Sequence, residues 1–124
     1  MALEYSIAWV TIAAQNFEKT HNFYAQLLGK EPDRMMGPVD APIYAEFHLK
    51  GLHIGVYRPK TEIFTSEPSR LSICLQVEDL ENSIAHLSEI DHPVSGDILT
   101  SRHGREVYVL DPDGNRLILY QPYQ

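Results

Sequence analysis

Residues 6–14 (SIAWVTIAA) form a β-branched, apolar run of the length of one strand. Asn16 then offers a side-chain cap, and Phe17, Thr20, Tyr24, Leu27 and Leu28 return at spacings of three and four until Gly29, which predicts a helix. Pro32, Gly37, Pro38 and Pro42 break residues 30–42 into a loop with room for one short strand. IYAEFHL (43–49) and LHIGVY (52–57) read as a hairpin around Lys50 and Gly51. The polar stretch 58–70 has two prolines and no period, and suits a connector. A second cycle follows. Leu71 to Val77 is a strand, and Asp79 caps a helix with Leu80, Ile84 and Leu87 on one face. Residues 93–105 are irregular apart from a short strand at 97–100, and 106–110 with 116–120 make a closing hairpin.

The two cycles match without gaps at a constant offset of 63 residues, from Val10 and Ile73 to Pro59 and Pro122. Two copies of one supersecondary unit follow, module 1 over about 5–59 and module 2 over about 70–124, joined by a connector over about 60–69 in one domain spanning 1–124. The most specific local string is Asp111-Pro112-Asp113-Gly114-Asn115. Asp111 can accept backbone hydrogen bonds, Pro112 presets φ, and Gly114 can take the left-handed conformation that a three-residue hairpin with a bulge requires. The two aspartates are too few oxygens for a calcium loop.

Composition narrows the partners. A formal charge of −7, with only 10 Lys and Arg, excludes a phosphate-binding basic face, so neither nucleic acid nor an anionic membrane surface is expected. No apolar stretch approaches the roughly 18 residues of a membrane span, and the N-terminus shows no secretory pattern, so a cytoplasmic location is expected. Cys74 is the sole cysteine and can form no internal disulfide; its apolar surroundings suggest a small buried hydrophobe.

NFEKTHNFYAQLLGKEP after the first strand, VEDLENSIAHL after the fifth and YVLDPDGNRLILYQP at the end together resemble the vicinal oxygen chelate superfamily of glyoxalases, extradiol dioxygenases and bleomycin resistance proteins. The resemblance covers essentially the whole chain. It implies an α+β fold, with two βαβββ modules in tandem whose curled mixed sheets form a cup with the helices outside. It also implies a homodimer.

In the enzymes of that family, four side chains hold a divalent metal, and the resemblance maps those positions onto Trp9, Gly55, Ser72 and Ile118. Indole, hydrogen and an alkyl group offer no donor, and a lone serine hydroxyl is too weak. The expectation is therefore a protein without metal or other cofactor, nearest to the bleomycin resistance branch and leaning away from an enzyme.

Strand parity assigns the cup-facing residues. Trp9, Thr11, His53, Tyr57, Ser72, Cys74, Ile118 and Tyr120 should face inward, with Val10, Ile12, Ile54, Val56, Leu117 and Leu119 against the helices. Pairing Asp111 with Asn115 brings Glu106 and Tyr108 inward as well. For 43–49 the turn decides: a three-residue loop ending at Gly51, like that at Gly114, turns Phe47 inward, whereas a two-residue loop exposes Tyr44, Glu46 and His48 instead. The first is expected.

Walls of Trp9, Phe47, Tyr57, Tyr108 and Tyr120, with few polar groups, describe a small-molecule pocket, and the acidic chain favours a cationic occupant. The expected function is sequestration of an aromatic, preferably cationic, molecule as in antibiotic resistance. The alternative is a glyoxalase- or dioxygenase-type enzyme. It would use displaced metal ligands, such as His53 and Glu106 with His48 or His103, or a metal-independent general base, His53 or Glu106.

Overall fold

A computed structural model describes Glu4 and residues 6–59 and 71–123. The connector expected at 60–69 lies outside the described residues. The chain divides into two compact units, Met1–Phe64 and Thr65–Gln124.

In the first unit, β1 (Trp9–Ala13) leads into α1 (Phe17–Leu28), followed by β2 (Arg34–Met36), β3 (Tyr44–Leu49) and β4 (Leu52–Tyr57). The sheet order is β1-β4-β3-β2, with β1 parallel to β4 and the other pairs antiparallel. The Asn16 side chain accepts from the Lys19 N–H, as its capping role requires, and Gly29 ends the helix in the left-handed conformation at φ 65°. α1 packs on β4. The core between them holds Phe17, Phe23, Tyr24, Ala45, Phe47, Ile54 and Val56, all essentially without exposure.

The second unit repeats the path with β5 (Ile73–Gln76), α2 (Leu80–Glu89), β6 (Ser95–Thr100), β7 (Gly104–Leu110) and β8 (Arg116–Pro122), in the order β5-β8-β7-β6. Asp79 caps α2 by accepting from Asn82 N–H. Leu80, Leu87, Val107, Val109, Leu117 and Leu119 form the core. Both units are βαβββ modules, two copies of one unit as the repeat predicts, and the fold is α+β, as the resemblance implies.

The Asp111–Asn115 turn forms as expected: Asp111 N–H donates to the Asn115 carbonyl, and Gly114, at φ 85°, donates to the Asp111 carbonyl. The Asp111 carboxylate is buried because it accepts from the Asp113 and Asn115 backbone N–H groups and from Asn115 Nδ2. It acts as the clamp of the turn.

The first hairpin departs from expectation. Leu49 pairs with Leu52, so the turn has two residues, Lys50 and Gly51, and Gly51 takes φ 81°. Phe47, expected to face inward, instead pairs with Ile54 and is fully buried on the helix side. The cause is the alternation within β3: Ala45, Phe47 and Leu49 are apolar and Tyr44, Glu46 and His48 polar, and the longer turn would bury the polar set. Among the described residues, no helix is long and apolar enough to cross a membrane.

Candidate functional site

The sheet face turned away from α1 is laid out in rows by strand register. Trp9, His53 and His48 form one row; Thr11, Gly55, Glu46 and Arg34 the next; Ala13, Tyr57, Tyr44 and Met36 the third. Trp9 is the sole tryptophan and 52% exposed, although indole is usually buried on folding.

Three side chains of β3 are linked on this face. The Tyr44 ring lies over Gly55, where a Cβ would come within 2.6 Å of its hydroxyl oxygen. That hydroxyl donates to Glu46 Oε2 at 2.5 Å, and Glu46 Oε1 lies 2.6 Å from His48 Nε2. The His48 ring stacks on His53 with centroids 4.0 Å apart and planes 13° from parallel. Below them, Asp33 accepts the His48 backbone N–H and pairs with Lys30. The Tyr44 hydroxyl and then His48 hold the Glu46 carboxyl below its usual range, so it stays ionised. Burial, reinforced by Glu46, pushes the Tyr44 phenol up to about 12, so it remains a donor.

The corresponding face of the second sheet is built differently. Cys74, Ile118 and Tyr108 share one row, and Gln76, Tyr120 and Glu106 the next. Arg116 lays its guanidinium 4.7 Å over the Tyr108 ring and donates from Nε to Ser72 Oγ. Thus one face of Tyr108 and the Ser72 hydroxyl are engaged by the chain itself. Tyr120 donates to the His103 carbonyl. Cys74 is exposed rather than buried, because its strand position turns it from α2; partial burial and then Glu106 push its thiol up, which makes it a poor nucleophile.

Within module 1, Trp9, Thr11, His53 and Tyr57 lie on the face turned away from α1, as parity predicts, and Phe47 does not. Within module 2, Cys74, Glu106, Tyr108, Ile118 and Tyr120 share the face turned away from α2, with Ser72 tied to its edge by Arg116. Sequence reasoning left Tyr44, Glu46 and His48 contingent on the turn and did not identify Arg116. The polar alternation of β3 signals the first group. Arg116 is the repeat mate of His53, which signals the second.

Two βαβββ modules in tandem, each with its helix packed on one face of its own sheet, make up the chain. The sequence pattern of the Glyoxalase/Bleomycin resistance protein/Dioxygenase superfamily matches residues 6–119, and the chain belongs to that superfamily. No curated protein sequence matches the chain. Among solved structures it resembles TnmS3, an antibiotic binding protein from Streptomyces sp. CB03234, at 23% identity over 99% of each chain with a TM-score of 0.74. A glyoxalase / bleomycin resistance protein from Catenulispora acidiphila is 22% identical over 94% of this chain and 98% of its own, with a TM-score of 0.72. The fosfomycin resistance protein FosX from Listeria monocytogenes, complexed with Mn(II) and sulfate, is 14% identical over 98% and 93%, with a TM-score of 0.75. At these identities the likeness is one of fold alone.

The family's divalent ion does not fit its four mapped positions. Trp9 and Ile118 offer no donor atom, the space a side chain at Gly55 would need is filled by Tyr44, and the Ser72 hydroxyl is engaged by Arg116.

Proposed function

We propose that the chain is a small-molecule binding protein that holds an aromatic compound, preferably a cationic one, by stacking, and does not transform it. The observation that carries this reading is Trp9, a half-exposed indole beside His53 on a sheet face that also presents Tyr44 and Tyr57. Such a face offers flat apolar surface with a few polar anchors. The ionised Glu46 carboxylate and the net charge of −7 favour a positive ligand. The antibiotic-binding role of TnmS3 supports the same reading. Arg116 already covers Tyr108, so a cation meets more competition on the second module than on the first.

Calorimetric titration with a panel of aromatic cations and neutral isosteres tests it. Saturable binding that weakens about tenfold in Trp9→Ala is expected; equal heats for the variant and the natural chain contradict it. Self-association into a homodimer belongs to the same proposal, supported by exposed Ile7, Val39 and Leu71. Sedimentation as a monomer at working concentration overturns that part.

One observation favours a second reading, a metal-independent isomerase. The Tyr44–Glu46–His48 chain fixes an imidazole against His53, as a general base requires. Deuterium uptake by a bound carbon acid, lost in His53→Ala, supports this reading, and a ligand recovered unchanged supports sequestration.

A further inference from the structure

The two-residue turn at Lys50–Gly51 has a second consequence. By placing His48 opposite His53, it gathers two imidazoles and one carboxylate on the face of the first sheet turned away from α1. Donor atoms of Glu46, His48 and His53 all lie within 4.8 Å of one another. We propose that these three side chains form a binding site for a borderline divalent transition ion of the zinc, cobalt, nickel or iron(II) class, separate from the four positions the family uses.

The donor chemistry selects the ion. Two nitrogens and one oxygen suit zinc or iron(II) and fall short of the six or more oxygens that calcium requires. A tetrahedral ion about 2.0–2.2 Å from its ligands needs them about 3.4 Å apart, so the Glu46–His48 contact, now 2.6 Å, must open and any separation near the 4.8 Å bound must close by about an ångström, within reach of ring rotation in the partly exposed His48.

The surroundings are those of a supported site. The Tyr44 hydroxyl holds the second Glu46 oxygen and leaves the first free to exchange His48 for an ion. The β3 backbone at His48 is tied to Asp33, which fixes the strand carrying two of the three ligands. Arg34 lies opposite Glu46 across the β2–β3 pair and counters part of its charge, so the site is not a simple acidic patch. Three protein ligands leave at least one position for water or a small-molecule donor.

None of the three ligands coincides with Trp9, Gly55, Ser72 or Ile118, and the inference does not depend on the aromatic-ligand proposal. Titration of chelator-stripped protein with Co(II) and Zn(II) tests it, followed by the cobalt d–d absorption band and by the imidazole proton resonances. One ion per chain is expected, with a low-coordinate cobalt spectrum and shifts confined to two histidines. Affinity should fall at least tenfold in Glu46→Gln, His48→Ala and His53→Ala, about tenfold in Tyr44→Phe, whose hydroxyl only positions Glu46, and not at all in His103→Ala. Absence of a cobalt band in the natural chain overturns the site. So does binding that survives all three ligand substitutions, or that is lost equally in His103→Ala. The affinity for aromatic cations in the absence of metal reads the other proposal independently.

Discussion

The two modules follow the same strand–helix path and present different chemistry on the same rows of the sheet faces turned away from their helices. Where the first has Glu46 beside Gly55, the second has Tyr108 beside Ile118; where the first has His48 beside His53, the second has Leu110 beside Arg116. Polar groups in the first module are linked to one another through Tyr44, Glu46 and His48. In the second, Arg116 folds back onto Tyr108 of its own sheet.

One residue of turn length separates them. The first hairpin closes with two residues, whereas the second closes with Pro112, Asp113 and Gly114 between Asp111 and Asn115. Equivalent inward positions on β3 and β7 therefore stand 62 residues apart, Glu46 with Tyr108, while the flanking strands keep the offset of 63. A repeated scaffold can exchange the whole set of residues on a face by changing a turn, because a one-residue slip reverses every side chain.

The largest test of this comparison is Phe47→Ala against His48→Ala. If Phe47 faces the helix, its truncation lowers unfolding stability by about 3–5 kcal/mol in urea, whereas loss of the neighbouring His48 side chain changes it by about 0.5 kcal/mol or less. The reverse order would return Phe47 to the open face.

Asp111→Ala comes next, because it leaves buried turn donors without their acceptor. A loss of about 2–3 kcal/mol is expected by the same measurement. The two-residue turn of the first module has no such clamp among its described hydrogen bonds, so Lys50→Ala should move stability by about 0.5 kcal/mol or less. Equal effects would erase the contrast between the hairpins.

Gly55→Ala is smaller. The new methyl must displace the Tyr44 ring, at a cost of about 1–2 kcal/mol, and should raise the Glu46 pKa toward its ordinary value as the hydroxyl leaves. A carboxyl titration that does not move in carbon-detected NMR contradicts the stacking of Tyr44 over Gly55.

The smallest effect depends on pH. His21 occupies the place of Ile84 in the second module and has both ring nitrogens buried without hydrogen bonds; Glu18 is 3.6 Å away. Burial lowers its pKa, so the unfolded chain takes up a proton at higher pH than the folded one. The stability due to neutral His21 is complete above the ordinary histidine value of about 6.5 and declines as pH falls through it toward the folded value. His21→Ile should flatten that acid-side decline between about pH 7.5 and about pH 5.5. An unchanged slope would mean that the ring is solvated.

Much of this architecture is written locally. Asn16 and Asp79 announce their helices because only a short polar side chain can satisfy the first free N–H groups, and the Asp111–Asn115 string dictates its turn through φ preferences. The facing of β3 was less legible. Both turns contain a glycine, and the repeat argued for the longer one, yet the burial of Ala45 and Phe47 outweighs turn likeness. Nor does the sequence show that Arg116 covers Tyr108, since that contact depends on where a long flexible side chain comes to rest. The donor cluster at Glu46, His48 and His53 became visible only once the register was fixed.

Trp9 is the proposed platform for an aromatic guest, and its own fluorescence is the direct probe, because the chain has no other tryptophan. Titration with an aromatic cation should quench and shift that emission saturably, with a neutral isostere binding more weakly. Emission that stays constant while calorimetry reports binding would place the ligand elsewhere and contradict the assignment.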